Sequence, residues 1–126
     1  MHREDINAIS YAVIGCAYRV HTKIGPGLLE SVYEKSLAHE LEKSHHKVAR
    51  QVPIPVIYDG KDLKSVYRLD MLVDNEVIVE VKSVAIVLPV HEAQLLTYLR
   101  LAGKQVGLLL NFNVRSMRKG IVRRVL

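Results

Sequence analysis

The run Tyr67-Arg68-Leu69-Asp70-Met71-Leu72-Val73-Asp74-Asn75-Glu76-Val77-Ile78-Val79-Glu80-Val81-Lys82 decides the fold class. Two apolar stretches flank the polar triplet Asp74-Asn75-Glu76, and side chains of a strand alternate between its two faces. Tyr67, Leu69, Met71 and Val73 therefore share one face of a first strand. Val77, Val79 and Val81 share one face of a second. The register that buries both sets together pairs Val73 with Val77, and a slip of one residue would mix apolar and polar faces. That register sets Asp70 opposite Glu80 and Arg68 opposite Lys82.

Working outward, Leu63 to Val73 and Val77 to Val84 are the arms of this hairpin. Before it, Val52 to Tyr58 is a strand whose Pro53 and Pro55 place it at a sheet edge or a strand start, joined to the hairpin by the turn pair Asp59-Gly60. Ile6, Ile9, Val13, Ala17 and Val20 recur at helical spacing, which predicts a helix from Asp5, as N-cap, to His21. A second helix is expected from Pro26 or Gly27 to Lys43. After the hairpin, Pro89 precedes a helix from Val90 to Ala102 that Gly103 stops. Gln105 to Asn111 is a short buried strand, and Ile121 to Val125 is a candidate for another. The order α, α, βββ, α, β, β predicts one α/β domain over residues 1–126, a mixed central sheet flanked by helices.

Composition agrees. With 126 residues the chain suits one domain, and 49% hydrophobic with 25% charged residues excludes a disordered or coiled-coil chain. No apolar run approaches the roughly 20 residues of a membrane helix. The opening Met1-His2-Arg3-Glu4-Asp5 lacks the basic-then-apolar order of a signal peptide. Cys16 is the only cysteine, which excludes a disulfide framework within the chain. A reduced, cytoplasmic protein is expected. The net charge is +5, and Arg115, Arg118, Lys119, Arg123 and Arg124 account for all of it, since 18 basic residues less these five equal the 13 acids. A basic patch of this kind suits a polyanion such as nucleic acid. A solvated terminal strand explains it more simply.

Chemistry concentrates on the hairpin. Directly opposed side chains lie about 4.5–5.5 Å apart, where like charges repel. Asp70 and Glu80 in that position suit a divalent cation, because hard cations take oxygen ligands. Lys82 projects from the same face as Glu80, within reach of a phosphate or water bound there. Taken alone, the hairpin fits an ordinary solvated face better, with Arg68 neutralising Glu80 and Lys82 neutralising Asp70 across the diagonals. The helices tilt the reading towards a site. Glu30 falls inside the apolar stripe Leu29, Val32, Tyr33, Leu37 and Leu41 of the second helix, and an acid there needs a partner. His91, Gln94 and Tyr98 share one arc of the third helix. His45-His46 is expected to be solvated, and Cys16 to be a core residue.

Asp70, then Glu80-Val81-Lys82, then Gln94-Leu95-Leu96-Thr97-Tyr98 resembles the D…(D/E)-x-K…Q-x-x-x-Y pattern of the PD-(D/E)XK nuclease superfamily, in its RecB-like branch. Leu69 stands where the superfamily's name has proline. Gly27-Leu28-Leu29-Glu30-Ser31-Val32-Tyr33 resembles the signature of the GxxExxY proteins placed in that superfamily. The resemblance extends from about Ile6 to Leu126. It implies a restriction-endonuclease-like αβββαβ core and metal-dependent phosphodiester hydrolysis on DNA. It further implies Mg²⁺ or Mn²⁺ held by Asp70, Glu80 and the Val81 carbonyl, with Glu30 completing the shell. Lys82 would be the catalytic lysine, with Gln94 and Tyr98 its polar support. A non-catalytic nucleic-acid-binding or adaptor protein is the alternative on the same fold, and a homodimer or partner protein is compatible with so short a chain.

Overall fold

The computed structural model describes residues 1–126. The elements are α1 (Arg3–Ile24), α2 (Glu30–Lys43), β1 (Val48–Tyr58), β2 (Lys61–Val73), β3 (Val77–Lys82), α3 (Pro89–Ala102), β4 (Val106–Asn111), a 3-10 turn (Met117–Gly120) and β5 (Ile121–Val125). They form one five-stranded sheet in the order β1-β2-β3-β4-β5. The β3–β4 pair is parallel and every other pair antiparallel. Parallel neighbours need a crossover, and α3 supplies it. The expected mixed α/β architecture is the one observed. No helix is long and apolar enough to cross a membrane.

The sheet is covered on both sides. On one, α1 and α2 pack over Met71, Val73, Val77, Val79, Val81, Leu108 and Leu110 to make the larger core cluster. On the other, α3 packs Leu95, Tyr98 and Leu99 against Leu69, Ile78 and Leu109. Strands β3 and β4 are buried on both faces, so they read as nearly continuous apolar runs. The prolines Pro53 and Pro55 lie in β1, which is an edge strand as their missing N–H groups require.

Three expectations need correction. Helix α2 begins at Glu30, not at Pro26 or Gly27. The Tyr33 hydroxyl donates to the Gly25 carbonyl at 2.6 Å and accepts from the Leu28 N–H at 3.1 Å, which uses backbone groups a longer helix would need. Gly27 sits at φ 95°, outside the helical region and open to glycine. Helix α1 starts before Asp5, which lies in its first turn rather than at its N-cap. Thirdly, Tyr67, Leu69, Met71 and Val73 do not share one face: Met71 and Val73 lie under α1 and α2, whereas Leu69 packs with α3. The switch coincides with a break in the β1–β2 ladder. Arg50 pairs with Met71 and Val52 with Leu69, but Gln51 and Asp70 between them do not pair, and Gln51 has a left-handed φ of 51°. Beyond this point the β1–β2 ribbon turns over and presents Val52 and Ile54 to α3.

Candidate active site

The expected hairpin register is the one found: Val73 pairs with Val77, Leu72 with Ile78 and Met71 with Val79. There the backbone ladder ends. Carrying the register one step further sets Asp70 opposite Glu80, and at that step side chains replace backbone partners. The Glu80 Oε2 accepts from the Asp70 N–H at 2.9 Å, and the Asp70 Oδ2 accepts from the Val81 N–H at 2.8 Å. The two carboxylates are thus drawn in between separating strands, which leaves Asp70 Oδ1 and Glu80 Oε1 without protein donors.

The proposed charge lattice is absent. Neither Asp70 nor Glu80 forms an ion pair, the half-buried Lys82 forms none, and Arg68 is turned away to donate to the Gln51 carbonyl at 3.3 Å. Arg68 and Lys82 are not paired across the hairpin either, because the strands have diverged. Glu80 is 6% exposed. Burial, then repulsion from Asp70 and to a lesser degree Glu34, raises its pKa to about 8, against weaker opposition from the Asp70 N–H and Lys82. Burial also raises Asp70, with the Val81 N–H and Lys82 opposing and Glu34 and Glu30 adding to the rise. From α3, Tyr98 closes the site. Its hydroxyl is held above its ordinary range by burial, then by Glu80, Tyr67 and Asp70, while Gln94 one turn away acts in the opposite sense.

Helix α2 contributes differently from expectation. Glu30 is its first residue and is exposed, as are Leu29 and Val32. The buried stripe consists of Tyr33, Leu37, Ala38 and Leu41, and the acid in it that faces the site is Glu34. Its carboxylate receives two bonds from Arg50 at 2.9 and 2.6 Å and one from the Gln51 amide at 2.9 Å. Glu34 precedes Leu37 and Leu41 by three and seven positions, a spacing that would have revealed it. Two other groups escaped sequence reasoning. The Ser83 hydroxyl donates to the Leu28 carbonyl at 2.6 Å, tying the loop before Glu30 to the residue after Lys82. The buried Asn111 holds both backbone groups of Val84, accepting at 3.1 Å and donating at 3.0 Å. Both fix the chain where it leaves β3. Tyr33, stacked on Phe112 with centroids 4.6 Å apart and planes 6° apart, anchors the same loop from below.

The five basic residues near the C-terminus do not form one patch. Arg115, Arg118 and Lys119 are exposed on the β4–β5 connection. Arg123 reaches α1, bonding Asn7 at 2.5 Å and Ser10 at 3.4 Å, and Arg124 pairs with Glu92 of α3. Elsewhere, His91 caps α3 by accepting the Leu88 N–H at 3.0 Å. His46, expected to be solvated, bonds Asp74 at 2.6 Å.

No three His, Cys, Asp or Glu side chains are gathered at metal-binding distance. The donor chemistry nevertheless fits a hard cation. Two adjacent, partly desolvated carboxylates repel one another, each with an oxygen unused by the protein and no cation beside it. A family model of the PD-(D/E)XK nuclease superfamily matches residues 7–125. The chain belongs to that superfamily. No curated protein and no solved structure matches it.

Proposed function

We propose that this protein is a metal-dependent deoxyribonuclease of the GxxExxY kind, in the RecB-like branch, acting as one domain over residues 1–126. The observation that carries the reading is the Asp70–Glu80 pair, a buried glutamate beside a half-buried aspartate, with no ion-pair partner for either. Asp70, Glu80 and the Val81 carbonyl would hold Mg²⁺ or Mn²⁺, with Glu30 at the rim. When bound, such an ion polarises the scissile phosphate and lowers the pKa of a coordinated water. Lys82, which has no carboxylate partner of its own, stabilises negative charge as it develops at phosphorus. Gln94 and Tyr98 position the phosphate from the α3 side. Arg115, Arg118 and Lys119 remain free to contact the backbone of DNA, contacts that add affinity without sequence preference. The single buried Cys16 suits a reduced, cytoplasmic setting.

The test is cleavage of labelled single-stranded, duplex and branched DNA with Mg²⁺ or Mn²⁺, wild type beside Lys82→Ala. The variant should fold, keep most DNA binding and lose about 10²–10³ in rate. Equal rates in the two proteins would refute the role of Lys82 and indicate a contaminating nuclease. Absence of cleavage by wild type on every substrate would leave a non-catalytic nucleic-acid binder.

A further inference from the structure

Past Leu69, β2 has only β1 for a neighbour, and the two strands project from the sheet as a ribbon beside α3. Between ribbon and helix lies a groove of about 410 Å³, walled by Val56 and Tyr67 on one side and by Val90, Ala93 and Leu101 on the other. Tyr98 belongs both to this groove and to the surroundings of Glu80 and Asp70, and Gln94 lines the groove beside it, so whatever fills the groove lies next to the two carboxylates. Tyr67 stands beside Tyr98, with ring centroids 5.9 Å apart and planes inclined at 46°. Yet Tyr67 is 51% exposed. A core role does not account for a tyrosine ring that is half in solvent at the mouth of a catalytic site.

We infer that this groove receives one unpaired nucleobase adjacent to the scissile phosphate, stacked on Tyr67, so that the protein acts on single-stranded or locally unpaired DNA. The inference rests on the nuclease reading and narrows its substrate. The walls are apolar and aromatic, which suits a base rather than a phosphate. A base inside a duplex has both faces covered by its neighbours, and only one taken out of the stack can offer a face to an aromatic side chain. The ribbon adds charge of the right sign for the strand that carries the base: Lys61, Lys64 and Arg68 against Asp59 and Asp62 between Val52 and Leu69.

The experiment uses the full chain and fluorescence anisotropy, in EDTA and again with Ca²⁺, on a labelled oligothymidine and on a hairpin duplex. Wild type should prefer the single strand. Tyr67→Ala should weaken single-strand binding by about 5- to 150-fold, the usual worth of one stacked base, without affecting the duplex, and Tyr67→Phe should retain it. Thermal melts check that both variants fold. An abasic nucleotide moved along the oligothymidine should reproduce the loss at one position, and at that position Tyr67→Ala should add nothing further. Three results overturn the inference: preference for duplex, an unchanged affinity in Tyr67→Ala, or an abasic scan without a minimum. Single-strand binding that depends on Tyr67 without any metal-dependent cleavage would overturn the nuclease reading and leave the groove assignment standing. Cleavage indifferent to Tyr67 would do the reverse.

Discussion

Glu40 and Glu80 are the same residue type at almost the same exposure, 4% and 6%, yet their surroundings treat them in opposite ways. Glu40 on α2 is covered by solvated basic side chains, with Lys23 at 2.9 Å, Lys43 at 3.2 Å and Arg19 at 3.9 Å. Hydrogen bonds from Lys23 and Lys43 pull its pKa down to about 2. Glu80 has a backbone N–H, a second carboxylate and no cation within ion-pair reach, and burial pushes its pKa up to about 8. Glu34 stands between them, as deeply placed as the others but matched by Arg50 and Gln51. Burial alone therefore does not set the state of a carboxylate in this protein; what separates Glu40 from Glu80 is whether basic side chains compensate it.

The largest effect expected from this contrast is on metal and catalysis. Asp70→Ala should abolish the heat of Mn²⁺ binding and lower cleavage by about 10²-fold or more, whereas Glu40→Ala should leave both unchanged. Calorimetric titration and rates on the same substrate measure this directly. Loss of Mn²⁺ binding in the Glu40 variant would erase the distinction between the two acids.

Next comes pH. Glu80 has a folded pKa of about 8 against an ordinary value of 4.5. Between those values the native protein keeps a proton that the unfolded chain releases, so the contribution of Glu80 to stability falls as pH rises. In EDTA, the thermal midpoint of wild type should drop between pH 5 and pH 8, and Glu80→Gln should flatten that slope. Glu40 works in the other direction: its stabilisation is present above pH 4.5 and disappears as pH falls towards 2. Glu40→Gln should therefore lower the midpoint at neutral pH by a few degrees and leave the slope between pH 5 and pH 8 as it is. Parallel slopes in wild type and Glu80→Gln would count against an uncompensated Glu80.

The smallest effect concerns the intermediate case. Arg50→Ala strands the Glu34 carboxylate in a buried position and should cost about 2–3 kcal/mol in denaturant unfolding. Arg50→Lys should recover only part, since an ammonium cannot reproduce the two-nitrogen contact. If Arg50→Ala melts like wild type, Glu34 is no better compensated than Glu80 and the ranking of the three acids collapses.

Most of what concerns neighbours in the chain was legible without the structure. The order of elements, the edge position of β1 and the Val73–Val77 register follow from alternation, proline placement and a short polar turn, all properties of segments a few residues long. The juxtaposition of Asp70 with Glu80 and the projection of Lys82 beside them are consequences of that one register. The sequence determined which carboxylates meet because hairpin pairing is local and a slipped register would expose a whole apolar face.

The tertiary structure decided what those carboxylates meet besides each other. That Glu34, not Glu30, is the buried acid of α2 depends on where the helix starts, and Tyr33 sets this by bonding back across Gly25 and Leu28. That Leu69 leaves the face of Met71 depends on the left-handed Gln51 of another strand. The dispersal of Arg123 to α1 and Arg124 to α3 depends on partners 116 and 32 positions away. Pairings over such separations leave no periodic trace in the chain, because they are chosen by which surfaces the folded sheet brings together. For the same reason the absence of any ion-pair partner beside Glu80 could be read only once every other element had found its place.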